Sequence, residues 1–235
     1  MLAARLGTML LRRGRWREAA FLLGYATKKA PGHWEAHNNL AVAYLKLQRW
    51  EDAARVAGHA VSLDPAAADS HDFLSIALLQ LERWEAAGAA CRRAIAVAPG
   101  RYDSHDRLGM ALWRLERWED LVEASEAALK IDAGRYALYH RMGIALQRLK
   151  RWDASAAAFR RAIELASADP AAAAELPRLQ TNLAAAVAQV DGTGESLMAL
   201  LVQRAEQQHP GTAARLNRAF QLLKTEQWAA ALAEP

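Results

Sequence analysis

Gly14-Arg15-Trp16-Arg17-Glu18-Ala19-Ala20 returns, little altered, four more times. The later copies are Gln48-Arg49-Trp50-Glu51-Asp52-Ala53-Ala54, Glu82-Arg83-Trp84-Glu85-Ala86-Ala87, Glu116-Arg117-Trp118-Glu119-Asp120 and Lys150-Arg151-Trp152-Asp153-Ala154. The five tryptophans are 34 residues apart. A fixed period of that length describes a stack of copies of one small unit, not a globule closed around a single core.

The surroundings repeat in the same register. Ten residues before each tryptophan stands Leu6, Leu40, Leu74, Leu108 or Met142, followed by a small residue, Gly7, Ala41, Ser75, Gly109 or Gly143. Six before it comes Leu10, Tyr44, Leu78, Leu112 or Leu146, and ten after it always alanine: Ala26, Ala60, Ala94, Ala128 and Ala162. A turn closes each copy: Ala30-Pro31-Gly32, Asp64-Pro65, Ala98-Pro99-Gly100, Asp132-Ala133-Gly134 and Asp169-Pro170. Apolar residues at spacings of three and four are helical. Small residues recur where two helices approach closely, and proline and glycine end the second helix. Each copy is predicted to be two antiparallel helices, which bury their apolar faces only by stacking on their neighbours.

These features resemble the tetratricopeptide repeat family: the 34-residue period, the leucine-small pair, the recurrent alanine and the closing proline. The family usually has tyrosine where this chain has its periodic tryptophan. The resemblance implies an all-α fold, a right-handed superhelical solenoid, with repeats at about 1–33, 34–67, 68–101, 102–135 and 136–169. A degenerate sixth repeat is expected over 170–211, with Asn182-Leu183-Ala184 matching Asn39-Leu40-Ala41 and a longer turn at Asp191-Gly192-Thr193-Gly194. An incomplete seventh, over 212–235, restores the signature at Trp228. That end reads as the interruption of an array within a longer polypeptide, or as a short natural cap.

Composition narrows the function. The net charge is +4, and the basic residues are dispersed among acidic ones, so no nucleic-acid footprint is expected. No apolar run approaches the ~18 residues of a membrane span, and the first residues read as a repeat helix, not a signal peptide. A cytoplasmic location is expected, with no membrane insertion. The single cysteine, Cys91, excludes an internal disulfide and reads as a buried small hydrophobe.

His37, His71 and His105 share the 34-residue period, the last two within Asp-Ser-His-Asp segments at 69–72 and 103–106. One histidine per repeat cannot converge on one ion, because adjacent packed helices are already about 8–10 Å apart and zinc needs nitrogens at about 2.0–2.1 Å. They read as markers of inter-repeat packing. No nucleophile, phosphate loop or oxyanion hole has recognisable spacing. The expectation is no enzyme, no cofactor and no metal.

The resemblance further implies that first helices line a concave groove. The residues it places there are Asn38, Asn39, Asp72, Phe73, Ile76, Asp106, Arg107, Met110, Trp113, Arg114, Arg141, Ile144 and Arg148. Looser alignment adds Arg178, Asn182, Gln189, Asn217, Phe220 and Lys224. Phe73, Ile76, Met110, Trp113 and Ile144 form an apolar strip. Trp113 is not one of the periodic tryptophans, so it is either an anchor for a partner or packed on a neighbouring helix. The aspartates are separated from the arginines along the helices: either they pair between repeats, or the arginines read carboxylates in a partner. Asp69 and Asp103 are candidate helix caps. The family's chaperone-tail-binding version is disfavoured, since Asn39 matches one element but Ala4, Thr8 and Asp69 do not match the others.

The expected function is a non-enzymatic scaffold that binds a protein or peptide in its groove. Two alternatives remain. One is the N-terminal repeat region of a larger bacterial transferase, a sulfotransferase or glycosyltransferase. The other is a self-assembling module that forms a homo-oligomer through Phe220, Leu223 and Trp228 of the partial repeat.

Overall fold

The computed structural model describes residues 2–191, with Val202, Ala214 and Arg218. Apart from Val202, the second helix expected in repeat six, and the repeat-seven residues Asn217, Phe220, Leu223, Lys224 and Trp228, lie outside the described residues. The chain divides into two compact units, Met1–Ala133 and Gly134–Pro235.

The first unit holds α1 (Leu2–Arg12), α2 (Trp16–Lys29), α3 (Trp34–Lys46), α4 (Trp50–Leu63), α5 (Ala68–Gln80), α6 (Trp84–Val97), α7 (Tyr102–Arg114) and α8 (Trp118–Ile131). The second holds α9 (Tyr136–Arg148), α10 (Trp152–Ser167), a 3₁₀ turn over Pro170–Glu175, and α11 (Leu176–Asp191). The fold is all-α, without strands among the described residues. Successive helices within each unit pack as neighbours. A first helix beginning at Ala171, as the alanine run there suggests, is not what forms: α11 begins only at Leu176. Residues 171–174 belong to the 3₁₀ turn, capped by Asp169, whose carboxylate accepts from the Ala171 N–H.

Every periodic tryptophan is the first residue of a second helix. The turn before it is a Schellman closure. The Arg15 N–H donates to Leu10 O at 3.0 Å, Arg49 to Tyr44 at 2.9 Å, Arg83 to Leu78 at 2.9 Å, Arg117 to Leu112 at 3.0 Å and Arg151 to Leu146 at 2.8 Å. Such a closure needs one left-handed residue. Gly14 supplies it at φ 73°, but Gln48, Glu82, Glu116 and Lys150 adopt φ between 53° and 57° despite carrying a Cβ.

Within the hairpins, the small residue of the first helix faces a matched residue of the second. A Cβ on Gly7 would meet Leu23 Cγ at 2.6 Å, and one on Gly143 would meet Phe159 Cε1 at 2.7 Å. In the three intervening copies the register holds Ala41 with Ala57, both in one buried cluster, Ser75 with Cys91, and Gly109 with Ser125, both buried. The two large residues, Leu23 and Phe159, face glycine, and the smaller ones face alanine, serine or glycine. Phe159, Leu23, Ala57 and Cys91 are all fully buried.

Candidate partner-binding site

Within the first unit the first helices of successive hairpins touch: α1 meets α3, α3 meets α5, and α5 meets α7. Successive second helices make no comparable contact. The first helices are therefore the closely packed layer of that unit, and their outward side chains share one face.

Much of that face's polarity is spent on holding repeats together. Asp72 is buried; its Oδ1 accepts from Ser104 Oγ at 2.7 Å and Arg107 Nη2 at 2.6 Å, and its Oδ2 from Arg101 Nη1 at 2.9 Å. Burial pushes its carboxyl up, but the bonds from Ser104 and Arg107 outweigh that and hold it below the ordinary carboxylate value. Asn38 is also buried, and its Oδ1 accepts from Ser70 Oγ at 3.1 Å, the same contact one repeat earlier. Asn39 Nδ2 donates to Thr8 Oγ1 at 2.9 Å, from α3 to α1. Asp69 and Asp103 are not caps: the cap positions are Ala67 and Arg101, and both aspartates sit in the first turn, where a carboxylate complements the helix dipole. Asp69 also accepts from Arg101 Nη1, at 2.5 Å.

The apolar strip divides by exposure. Phe73 is half-buried against the core of the first two repeats. Ile76 is half-buried and Met110 is 39% exposed, at equivalent positions of neighbouring helices α5 and α7. Trp113 meets the periodic Trp118 edge-to-face, with centroids 5.7 Å apart and planes at 90°. Beside it, the exposed Arg114 lays its guanidinium over the Trp84 ring at 5.2 Å, as Lys46 lies over Trp16 at 5.9 Å. The basic residue closing a first helix thus covers the tryptophan of the preceding copy, a cation–π contact that the spacing alone did not reveal. Asp106 is half-buried.

In the second unit, α9 carries Arg141, Ile144 and Arg148; Ile144 is half-buried against the cluster around Phe159, and Arg148 is exposed. Burial keeps the His140 imidazole below its ordinary pKa. Its Nε2 lies 3.0 Å from Asn182 Nδ2, so the neutral ring accepts from the amide. Gln147 Nε2 donates to Asn182 O at 3.1 Å. Arg178 is exposed, 3.9 Å from Glu175.

The periodic histidines form three identical clasps. His37 Nε2 donates to Pro31 O, His71 Nε2 to Pro65 O and His105 Nε2 to Pro99 O, each at 2.9 Å. Each ring ties the turn carbonyl to the helix that follows it, which fixes the entry angle of the next hairpin. Proline and histidine also vary together along the chain, because the next register holds Ala133 and Tyr139. That pairing was the available sequence signal. Burial raises the Cys91 thiol above its ordinary pKa, leaving it a packed, protonated side chain beside Ser75.

Comparison with known proteins agrees with this geometry. Tetratricopeptide repeat profiles match residues 10–75 and 136–169. A crystal structure of MamA superposes with a TM-score of 0.64 at 24% identity, covering 68% of this chain and 93% of that one. A second MamA crystal structure gives 0.66 at 23%, covering 70% and 90%. MamA from Desulfovibrio magneticus RS-1, from position 41 to its end, gives 0.65 at 21%, covering 72% and 96%. At these identities the likeness is one of fold. No curated protein matches the sequence. The repeated helix pairs, the 34-residue register and the two profile matches show tetratricopeptide repeats in this chain, over residues 10–75 and 136–169.

Proposed function

We propose that this protein is a non-catalytic scaffold whose first-helix face, in the unit up to Ala133, binds a segment of a partner protein. Protein interaction is the general role that the repeats and fold support. The observation that carries the finer reading is the patch on α5 and α7 formed by Ile76, Met110, Trp113 and Arg114. Its neighbours Asn38, Asp72 and Arg107 are committed to inter-repeat bonds, with Arg107 only 15% exposed. What is left for a ligand is an aliphatic step, an indole held in place by Trp118 and one exposed guanidinium. Rigid aromatic and arginine anchors of this kind dominate binding at interfaces. A pre-set surface also lowers the ordering cost of association on its own side. A fitting segment carries a large apolar residue beside a carboxylate, the first for Met110 and Trp113 and the second for Arg114. No helix among the described residues is long and apolar enough to cross a membrane.

A random peptide library selected on the purified chain tests this reading. Enriched peptides should place an aromatic or aliphatic residue next to an acidic one. Their binding should be lost in a Met110→Asp/Arg114→Glu variant that keeps its helicity. Equal enrichment on both proteins would move the interface off this face.

A further inference from the structure

The second helices of the first two repeats enclose a cleft that the first-helix face does not use. It lies between α2 and α4, has a volume of about 580 Å³, and is floored by Leu40 and Val56 of α3 and α4. Two glycines open it. Gly24 and Gly58 occupy the same register one repeat apart, and a Cβ on either would meet nothing within 4 Å. In the later repeats that register holds Arg92, Glu126 and Arg160, so only the first two repeats omit the side chain there. The rim is cationic: Lys28 and Arg55 border it, together with His59. His59 meets the His37 ring edge-on at 4.5 Å, and His37 is fixed in turn by its bond to the Pro31 carbonyl. No carboxylate borders the cleft. The nearby Asp52 is taken up by Arg49 and Arg55, through a contact of 2.8 Å to the latter.

A concave space of this size, apolar below and cationic at its mouth, has the form of a small-ligand site. We infer that it takes a carboxylate carried on an apolar, aromatic-sized stem. The stem would lie over Leu40 and Val56 between the two glycines, and the carboxylate would be met by Lys28 and by the second face of the Arg55 guanidinium. This inference does not depend on the partner face proposed above, because no residue is shared between the two sites. The ligand is either a free aryl-alkyl carboxylate or the end of a peptide chain, which present the same chemistry.

Three probes separate these sources on the full chain: phenylacetate, N-acetylphenylalanine and its neutral amide. Titration is followed by the NMR resonances of the His37 and His59 rings. The expected result is saturable binding of at least one carboxylate, with the amide weaker by about tenfold or more. Phenylacetate alone would identify a free metabolite; preference for N-acetylphenylalanine would identify a chain end. Gly58→Arg should abolish binding while keeping the helical signal, since Arg92 and Arg160 already occupy that register. Lys28→Ala should weaken binding by about threefold to tenfold. No binding of any probe, equal binding of the amide, or unchanged binding in the Gly58→Arg protein would each overturn the assignment.

Discussion

Gly143→Ala sets two known effects against each other. Alanine in a helix interior is favoured over glycine by about 1 kcal/mol. Yet the new Cβ on α9 would sit 2.7, 2.9 and 2.9 Å from three atoms of the Phe159 ring. An ordinary contact requires the ring to retreat by about 1 Å. It has nowhere to go: Phe159 is fully buried, with Ala156 and Ala186 beside it and Ile144, Leu183 and Val187 packed on that cluster. Overpacking of this kind costs about 1–3 kcal/mol, so against the helix gain a net loss of up to about 2 kcal/mol is expected. Gly88 supplies the control. It is also buried in a helix, but a Cβ there would lie 3.8 Å from its nearest neighbours. Gly88→Ala should therefore gain about 1 kcal/mol. Urea denaturation followed by circular dichroism compares the two. A Phe159→Ala background should remove the Gly143→Ala penalty, isolating the contact as a coupling energy of about 2 kcal/mol. If Gly143→Ala stabilises as much as Gly88→Ala, or if the penalty survives without the ring, the size-matching argument fails.

Asp72→Asn should destabilise by about 3 kcal/mol at neutral pH, because Arg107 stays buried without its counter-charge. Asp72 has a depressed pKa in the fold, so its stabilisation is complete above the unfolded carboxylate value of about 4 and is lost as pH falls through the lower folded value. Thermal melts across that acid range should show a step in the parent that the variant lacks. His71→Ala should cost about 2–3 kcal/mol, from a cavity and an unpaired Pro65 carbonyl, seen as a lower urea midpoint. Glu82→Gly relieves a left-handed residue at φ 57° and should raise stability by about 0.5–1 kcal/mol in the same assay. Trp113→Ala should weaken peptide binding about tenfold or more in fluorescence titration, with circular dichroism confirming retained helix.

The helix pairs were legible because the framework is periodic: each tryptophan, leucine-small pair and alanine gives the same answer in five registers. What escaped was everything that depends on which atom meets which. The aspartate-arginine separation allowed either inter-repeat pairing or partner recognition, and only the three donors around Asp72 show where its charge is used. The histidine period was visible, but a bond to a carbonyl six residues back requires the turn's shape. Gly24 and Gly58 gave no helical signal of their own; the clue lay in the arginines and glutamate of later copies. Trp113 was conspicuous for lacking a packing role, and its edge contact with Trp118 leaves it both held and half-exposed.

The matched pairs along the hairpins bear on how a repetitive chain avoids confusing its own parts. Near-identical units risk pairing a helix with the wrong neighbour, a characteristic misfolding route for arrays. Here the helix carrying Leu23 fits only opposite a glycine, and the helix carrying Phe159 likewise. Against Ala41 or Ser75 either would collide, while Ala57 opposite Gly7 would leave a void. The pairs therefore bar the Leu23 and Phe159 helices from the Ala41 and Ser75 hairpins, so the sequence repeats its framework without making all of its helices interchangeable.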